Sequence, residues 1–259
     1  MVKIEFIELL NYKDLLWNLV ARDLTVRYKR SVLGFLWTML NPIINTIVFT
    51  VIFSTIFRFE VKDFIIYFLS GFQLWNFFAQ STTISSRCIL ANGPLFKKIY
   101  IPKTIFVLST VISGLINFMF SMLPLLALIF IIGRGFQPSM LFLPIALIMT
   151  IMFTIGISLI ISACAVFFID IVEIYSVLLM PWMYLTPIIY PLEIIPPKYL
   201  PFFKLNPMYF IVECFRLPIY KGQLPGAQLI LCAMLVSVGA LLIGYWVFSK
   251  LEDEFVYYI

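Results

Sequence analysis

A chain of 259 residues that is 63% hydrophobic and only 12% charged, with a mean hydropathy of +1.05, is far more apolar than a water-soluble domain. Its net charge of +5 sits beside apolar stretches instead of along a soluble face, which reads as membrane topology and not as nucleic-acid binding. The sequence has no histidine, and Cys88, Cys164, Cys214 and Cys232 are widely separated, so no zinc set forms and the thiols read as small buried hydrophobes.

A hydrocarbon core of about 30 Å takes roughly 20 apolar helical residues, which leaves room for about six spans and short loops. The expectation is an all-α integral membrane protein with about six transmembrane helices. Residues 1–33 form a cytoplasmic amino-terminal segment and 34–259 the transmembrane domain. The first thirty residues are studded with charge, including Lys3, Glu5, Lys13 and Asp14, and lack the apolar core of a secretory signal. Within residues 13–30, Asn18, Arg22, Thr25 and Lys29 recur at helical spacing while Leu15, Leu16, Leu19 and Val20 fall off that line. This predicts an amphipathic helix on the membrane surface, with Trp17 and Tyr28 near headgroup level. Asp23 and Arg27, four residues apart, are expected to pair.

Spans are predicted over residues 34–57, 64–86, 104–132, 139–168, 174–190 and 224–248. Asp170 and Glu173 mark a solvated turn before the fifth. The stretch 191–223 is apolar but broken by prolines and charges, and cannot cross lipid as one helix; short re-entrant helices dipping in from the outer face fit it best. Lysine and arginine near the span ends favour the side holding residues 1–33 and 87–103, which places both termini in the cytoplasm.

No Gly-x-x-x-x-Gly-Lys-Ser/Thr loop occurs, so any ATP is used by another chain. The spans lack histidine and are almost free of carboxylates, which argues against a proton relay and against a membrane-embedded transferase. Their polar residues are better organised. Gln73, Asn76, Gln80, Thr83 and Arg87 step by three, four, three and four, one face of one helix. Thr38, Asn41 and Asn45 form a similar face in the first span, continued outward by Phe49 and Phe53. Such faces serve either helix-to-helix hydrogen bonding or a polar conduit; two on adjacent helices, one extended by aromatic rings that suit sugar faces, favour the conduit. Ser109, Ser113, Asn117 and Ser121, with Gly114 nearby, read as close helix packing with no transport role. In the turn 87–103, Asn92 is placed to cap a short helix that Pro102 ends, and Leu95, Phe96 and Tyr100 need cover from lipid or a partner.

The residues Arg22-Asp23-Leu24, Arg27-Tyr28, Leu33-Gly34, Trp37 and Pro42 resemble the entry to the first span in the permeases of polysaccharide-exporting ABC transporters, which handle O-antigen, capsule or teichoic acid. The resemblance continues through Asn92, Leu95, Lys97-Lys98 and Pro102, through Thr186-Pro187-Ile188-Ile189-Tyr190-Pro191, and through Leu205-Asn206-Pro207 with Glu213 and Arg216. It covers residues 20–222. Where the family often has Arg-Asp between the fourth and fifth spans, this chain has Ile169-Asp170.

The resemblance implies a permease homodimer in the cell inner membrane, bound to two copies of a separate ATPase subunit that holds ATP and Mg2+. The chain itself is then no enzyme, binds no cofactor or metal, and meets membrane lipid and a lipid-linked polysaccharide. The segment 87–103 is expected to dock on the ATPase through Leu95, Phe96, Lys97, Lys98 and Tyr100, and the re-entrant helices of 191–223 line the outer exit. The cargo expected is a polysaccharide on a polyprenyl diphosphate, moved from the cytoplasmic to the outer face. Arg22, Arg27, Lys29, Arg30 and Arg87 are placed to attract the diphosphate, although topology alone also makes them basic. The rivals are a related ABC permease for a lipid or drug and an ATP-independent channel.

Overall fold

The computed structural model describes residues 12–29, 31–52, 63–96, 101–133 and 135–258, and only the backbone of Phe35, Thr46, Phe49, Thr50 and Glu193. Among the described residues every regular element is helical. In chain order these are α1 (Lys13–Tyr28), α2 (Trp37–Val51), α3 (Phe64–Ala91), α4 (Gly93–Phe96), α5 (Thr104–Ile131), α6 (Leu143–Phe167), α7 (Asp170–Leu185), α8 (Leu200–Lys204), α9 (Pro207–Tyr220), α10 (Ala227–Leu251) and α11 (Phe255–Tyr258).

Three helical stretches among the described residues are long and apolar enough to cross a membrane: Thr104–Ile131, Pro138–Phe167 and Ala227–Tyr258. The central helix is α3, which packs on α2, α5, α6, α7 and α9. It runs for 28 residues, about 42 Å of helix, and buries Phe68, Leu69, Leu74, Trp75 and Phe78. Trp75 and Phe78 meet Trp182 of α7 edge-on, at 6.0 and 5.2 Å between ring centroids. The α6–α10 contact is closer still: a Cβ on Gly156 would stand 2.3 Å from the Ala240 carbonyl oxygen, and one on Gly244 would stand 2.2 Å from that of Gly156. Backbones touch there because neither glycine carries a side chain. A second apolar cluster joins Leu19 of α1, Cys88 and Ile89 of α3, Ile105 and Phe106 of α5, and Phe248 and Phe255 near the carboxyl end.

Several expectations are corrected. The fifth helix begins at Asp170 and ends at Leu185, so Glu173 lies in its first turn, where a carboxylate favours the helix dipole. Residues 186–190 are non-helical, since Pro187 and Pro191 deprive the backbone of donors and push the preceding residues out of the helical region. Asn92 stands between two helices: its Nδ2 donates to the Cys88 carbonyl at 2.7 Å at the end of α3, and its own carbonyl accepts from Leu95 N of α4 at 3.0 Å. Asp23 pairs with Arg22 at 3.0 Å instead of with Arg27.

Arg216, one of the charges that break the predicted re-entrant stretch 191–223, is the largest fully buried side chain among the described residues. Its Nη1 donates to Glu213 Oε1 at 2.7 Å, to the Pro187 carbonyl at 2.7 Å and to the Tyr67 hydroxyl at 2.9 Å, and its guanidinium stacks 4.0 Å from the Tyr67 ring centroid. Gly71 makes room for it: a Cβ there would lie 2.3 Å from Nη2. Asn206 forms a second hub, accepting from Met208 N and Trp182 Nε1 while donating to the Leu185 carbonyl and Thr186 Oγ1. The bond it accepts from Met208 N caps α9, with Pro207 at the first helical position. These hubs pin the irregular stretch 186–191 and α9 against α3 and α7.

Candidate functional site

The three-and-four spacing of polar residues on α3 opens onto a cavity of about 610 Å3 between α1, α2, α3 and α5. Gln73, Asn76, Gln80 and Thr83 line it from α3, as their shared helical face requires. Thr38 and Asn41 line it from α2, and Arg27 and Tyr28 from the end of α1. Two residues of the predicted α2 face and four of the α3 face therefore line one space.

The fourth wall was missed. Asn117 and Ser121 of α5, read from sequence as packing residues, stand on the cavity. Asn117 Oδ1 accepts from the Tyr28 hydroxyl at 2.6 Å, which ties the end of α1 to α5. Burial pushes the Tyr28 phenol above its ordinary range, so it remains a protonated donor. The packing reading of this stripe holds in part: Ser113 bonds the Ser109 carbonyl, and a Cβ on Gly114 would lie 2.1 Å from Ser81 Oγ.

The α3 stripe divides by depth. Gln73 is buried and its Nε2 donates to the Ser121 carbonyl at 2.8 Å, a helix-to-helix bond. Asn76 is half-buried and Gln80 exposed, and among the described residues neither amide has a hydrogen-bond partner. Trp37, Phe77 and Phe118 add aromatic surface to the same walls. The space offers amide donors and acceptors, ring faces and one guanidinium, a set that suits a polyhydroxylated ligand bearing an anionic group.

The remaining candidates are scattered. Asn45 is not on the cavity; its Nδ2 donates to the Asn41 carbonyl at 2.8 Å. Phe49 is described only by its place in α2, and Phe53, Arg30, Lys97, Lys98 and Tyr100 lie outside the described residues. Arg87 pairs with Glu173 at 2.6 Å on an exposed surface, and Arg22 bonds both Asp23 and, at 3.2 Å, Asn92 Oδ1. Lys29 is exposed. Among the described residues Arg27 has no ion-pair partner, and it alone of the four described basic candidates lines the cavity. Leu95 and Phe96 are half-buried against the chain's own second cluster, with Phe96 edge-on to Phe106 at 5.0 Å, so only part of each is left for a partner.

A polar cavity in an all-helical, strongly apolar chain is the setting of a transport subunit, and residues 14–220 match the model of the ABC-2 type transporter family. The chain belongs to that family. Over 247 residues, 93% of both chains, it is 31% identical to the O-antigen export system permease protein RfbA of Klebsiella pneumoniae. It is 30% identical to the protein of the same name from Myxococcus xanthus, over 96% of each. The polysialic acid transport protein KpsM of Escherichia coli is 24% identical over 91% of this ABC-2 chain and 92% of its own length.

Proposed function

We propose that this ABC-2 chain is the permease of an exporter that carries a polysaccharide on a polyprenyl diphosphate from the cytoplasmic to the outer face of the inner membrane. The observation that carries the reading is the cavity whose Asn76 and Gln80 amides have no partner among the described residues, in a chain aligned over nearly its full length with O-antigen export permeases. Sugar hydroxyls supply the missing partners for those amides, and Arg27 supplies charge for the diphosphate.

In this reading two permease copies assemble with two copies of a separate ATPase, which holds the ATP and Mg2+, and residues 87–103 dock on it. Six spans are assigned: the helix beginning at α2, then α3, α5, α6, α7 and α10. Both termini face the cytoplasm, α1 lies at that interface, and α8 and α9 re-enter from the outer side. Nucleotide binding by the partner switches the path between closed and open states.

Deletion of the chain is expected to leave lipid-linked polymer inside the cell and none at the surface. The double variant Asn76→Leu/Gln80→Leu is expected to reproduce that block at normal membrane abundance. Normal surface polymer in the deletion strain overturns the reading. ATP turnover by the purified chain without its partner overturns the division of labour.

A further inference from the structure

After α3 the chain passes through α4, whose Phe96 packs on Phe106, and it enters α5 at Lys103, the residue at that helix's amino-terminal cap position. An ammonium at a helix amino terminus opposes that helix's dipole, so its own helix gives Lys103 no electrostatic support. Its charge is directed elsewhere. Lys103 Nζ donates to the carbonyl of Glu252, the cap at the carboxyl end of α10, where the dipole favours a cation. It also stands 5.4 Å from the centroid of the Phe255 ring.

Phe255 is itself fixed. It is fully buried, 5.4 Å from Phe248 of α10 and 6.0 Å from Phe167 at the end of α6, and Tyr258 lies 4.7 Å from Phe167. The turn Glu252–Glu254 and α11 therefore fold back over the ends of two long helices and hold Lys103 from there. We propose that residues 252–258 are a hook that positions the ATPase-docking segment, bolting its far end to α6 and α10 so that the partner meets a held surface and moves those helices with it. The hook rests on the docking assignment made under the proposed function.

The test uses the permease assembled with its ATPase, with Lys103→Met, which keeps the aliphatic stem, and Phe255→Ala. Amide hydrogen exchange is followed across the chain, and partner affinity is measured by titration. Exchange of residues 93–103 is expected to rise roughly tenfold, the loss of one charge-assisted hydrogen bond, with a similar loss of affinity and unchanged exchange in the middles of α6 and α10. Unchanged exchange in 93–103 overturns the hook. Faster exchange throughout α6 and α10 overturns it as well, since that marks general destabilisation. Faster exchange confined to 93–103 with full affinity shows that the ATPase docks elsewhere, which sinks the docking assignment and the hook's role in it. If Phe255→Ala does not fold, Lys103→Met decides alone.

Discussion

Around Arg216 and along the cavity, polar side chains lie in the same apolar surroundings on opposite terms. The guanidinium and the Asn206 amide are buried, and all of their polar atoms except Arg216 Nε find partners. Asn76 and Gln80, one helix away, face an open space with amides that have no partner among the described residues. A buried polar group without a partner costs free energy, so the first arrangement holds a fold and the second is tolerable only where water or a ligand enters. Satisfaction, not polarity, separates a structural pin from a working surface.

The comparison breaks first at Arg216. Arg216→Leu leaves Glu213 without its cation and frees the carbonyls of Pro187 and Ile188, and breaking a buried pair in this way costs about 3–5 kcal/mol. A large fall in the thermal unfolding midpoint of the purified chain is the expected result. The double variant Arg216→Leu/Glu213→Leu should recover part of it. If Arg216→Leu unfolds at the parent temperature, the buried hub is not a pin.

Asn206→Ala comes next. It removes the cap of α9 and strands Trp182 Nε1, for a loss of about 1–3 kcal/mol by the same measurement. Far below both lies Gln80→Leu, whose effect on stability should stay within about 0.5 kcal/mol because no bond to the described residues is lost. A destabilisation as large as that of Asn206→Ala would show that Gln80 belongs with the pins.

The helical class and the polar faces of α2 and α3 were legible because they depend on spacing within one helix, which sequence carries directly. Partners across the fold were not legible. Asp23 has basic neighbours at one and four residues, and only the position of Arg27 on the cavity wall settles which one it takes. Asn117 sits in a run of serines at intervals of four, a pattern that packing and lining share; the larger, two-sided amide among hydroxyls was the signal available. Arg216 looked like an outer loop charge because the sequence between Pro191 and Gln223 gives no sign that α9 lies against α3. Its spacing of three from Glu213 was the clue, since that offset permits a pair on one helix.

The smallest perturbation sharpens the comparison most, because it asks where along α3 the surface passes from pin to open wall. With Cys88, Cys164, Cys214 and Cys232 replaced by Ala or Ser, single cysteines are placed at residues 73, 76, 80 and 83 of the assembled complex. A thiol reacts as its thiolate, which water permits and hydrocarbon suppresses, so the rate with a small soluble reagent reports solvation. Gln80 is exposed, Asn76 half-buried and Gln73 only 2% exposed, which sets the expected order of reaction as 80, then 76, then 73. Controls at Leu74 and Phe78, buried on other faces of the same turns, should stay unreactive. Position 73 is the sensitive one: in the parent its amide bonds Ser121 across the α3–α5 contact, so slow labelling that quickens when nucleotide is added would mean that this contact opens as the cavity deepens. Equal labelling at all four positions without nucleotide would place the whole stripe in water and remove Gln73 from the pins. No labelling at any of them, in any nucleotide state, would make the stripe a dry helix contact, and the wall of the path would then have to be sought on α2 and α7.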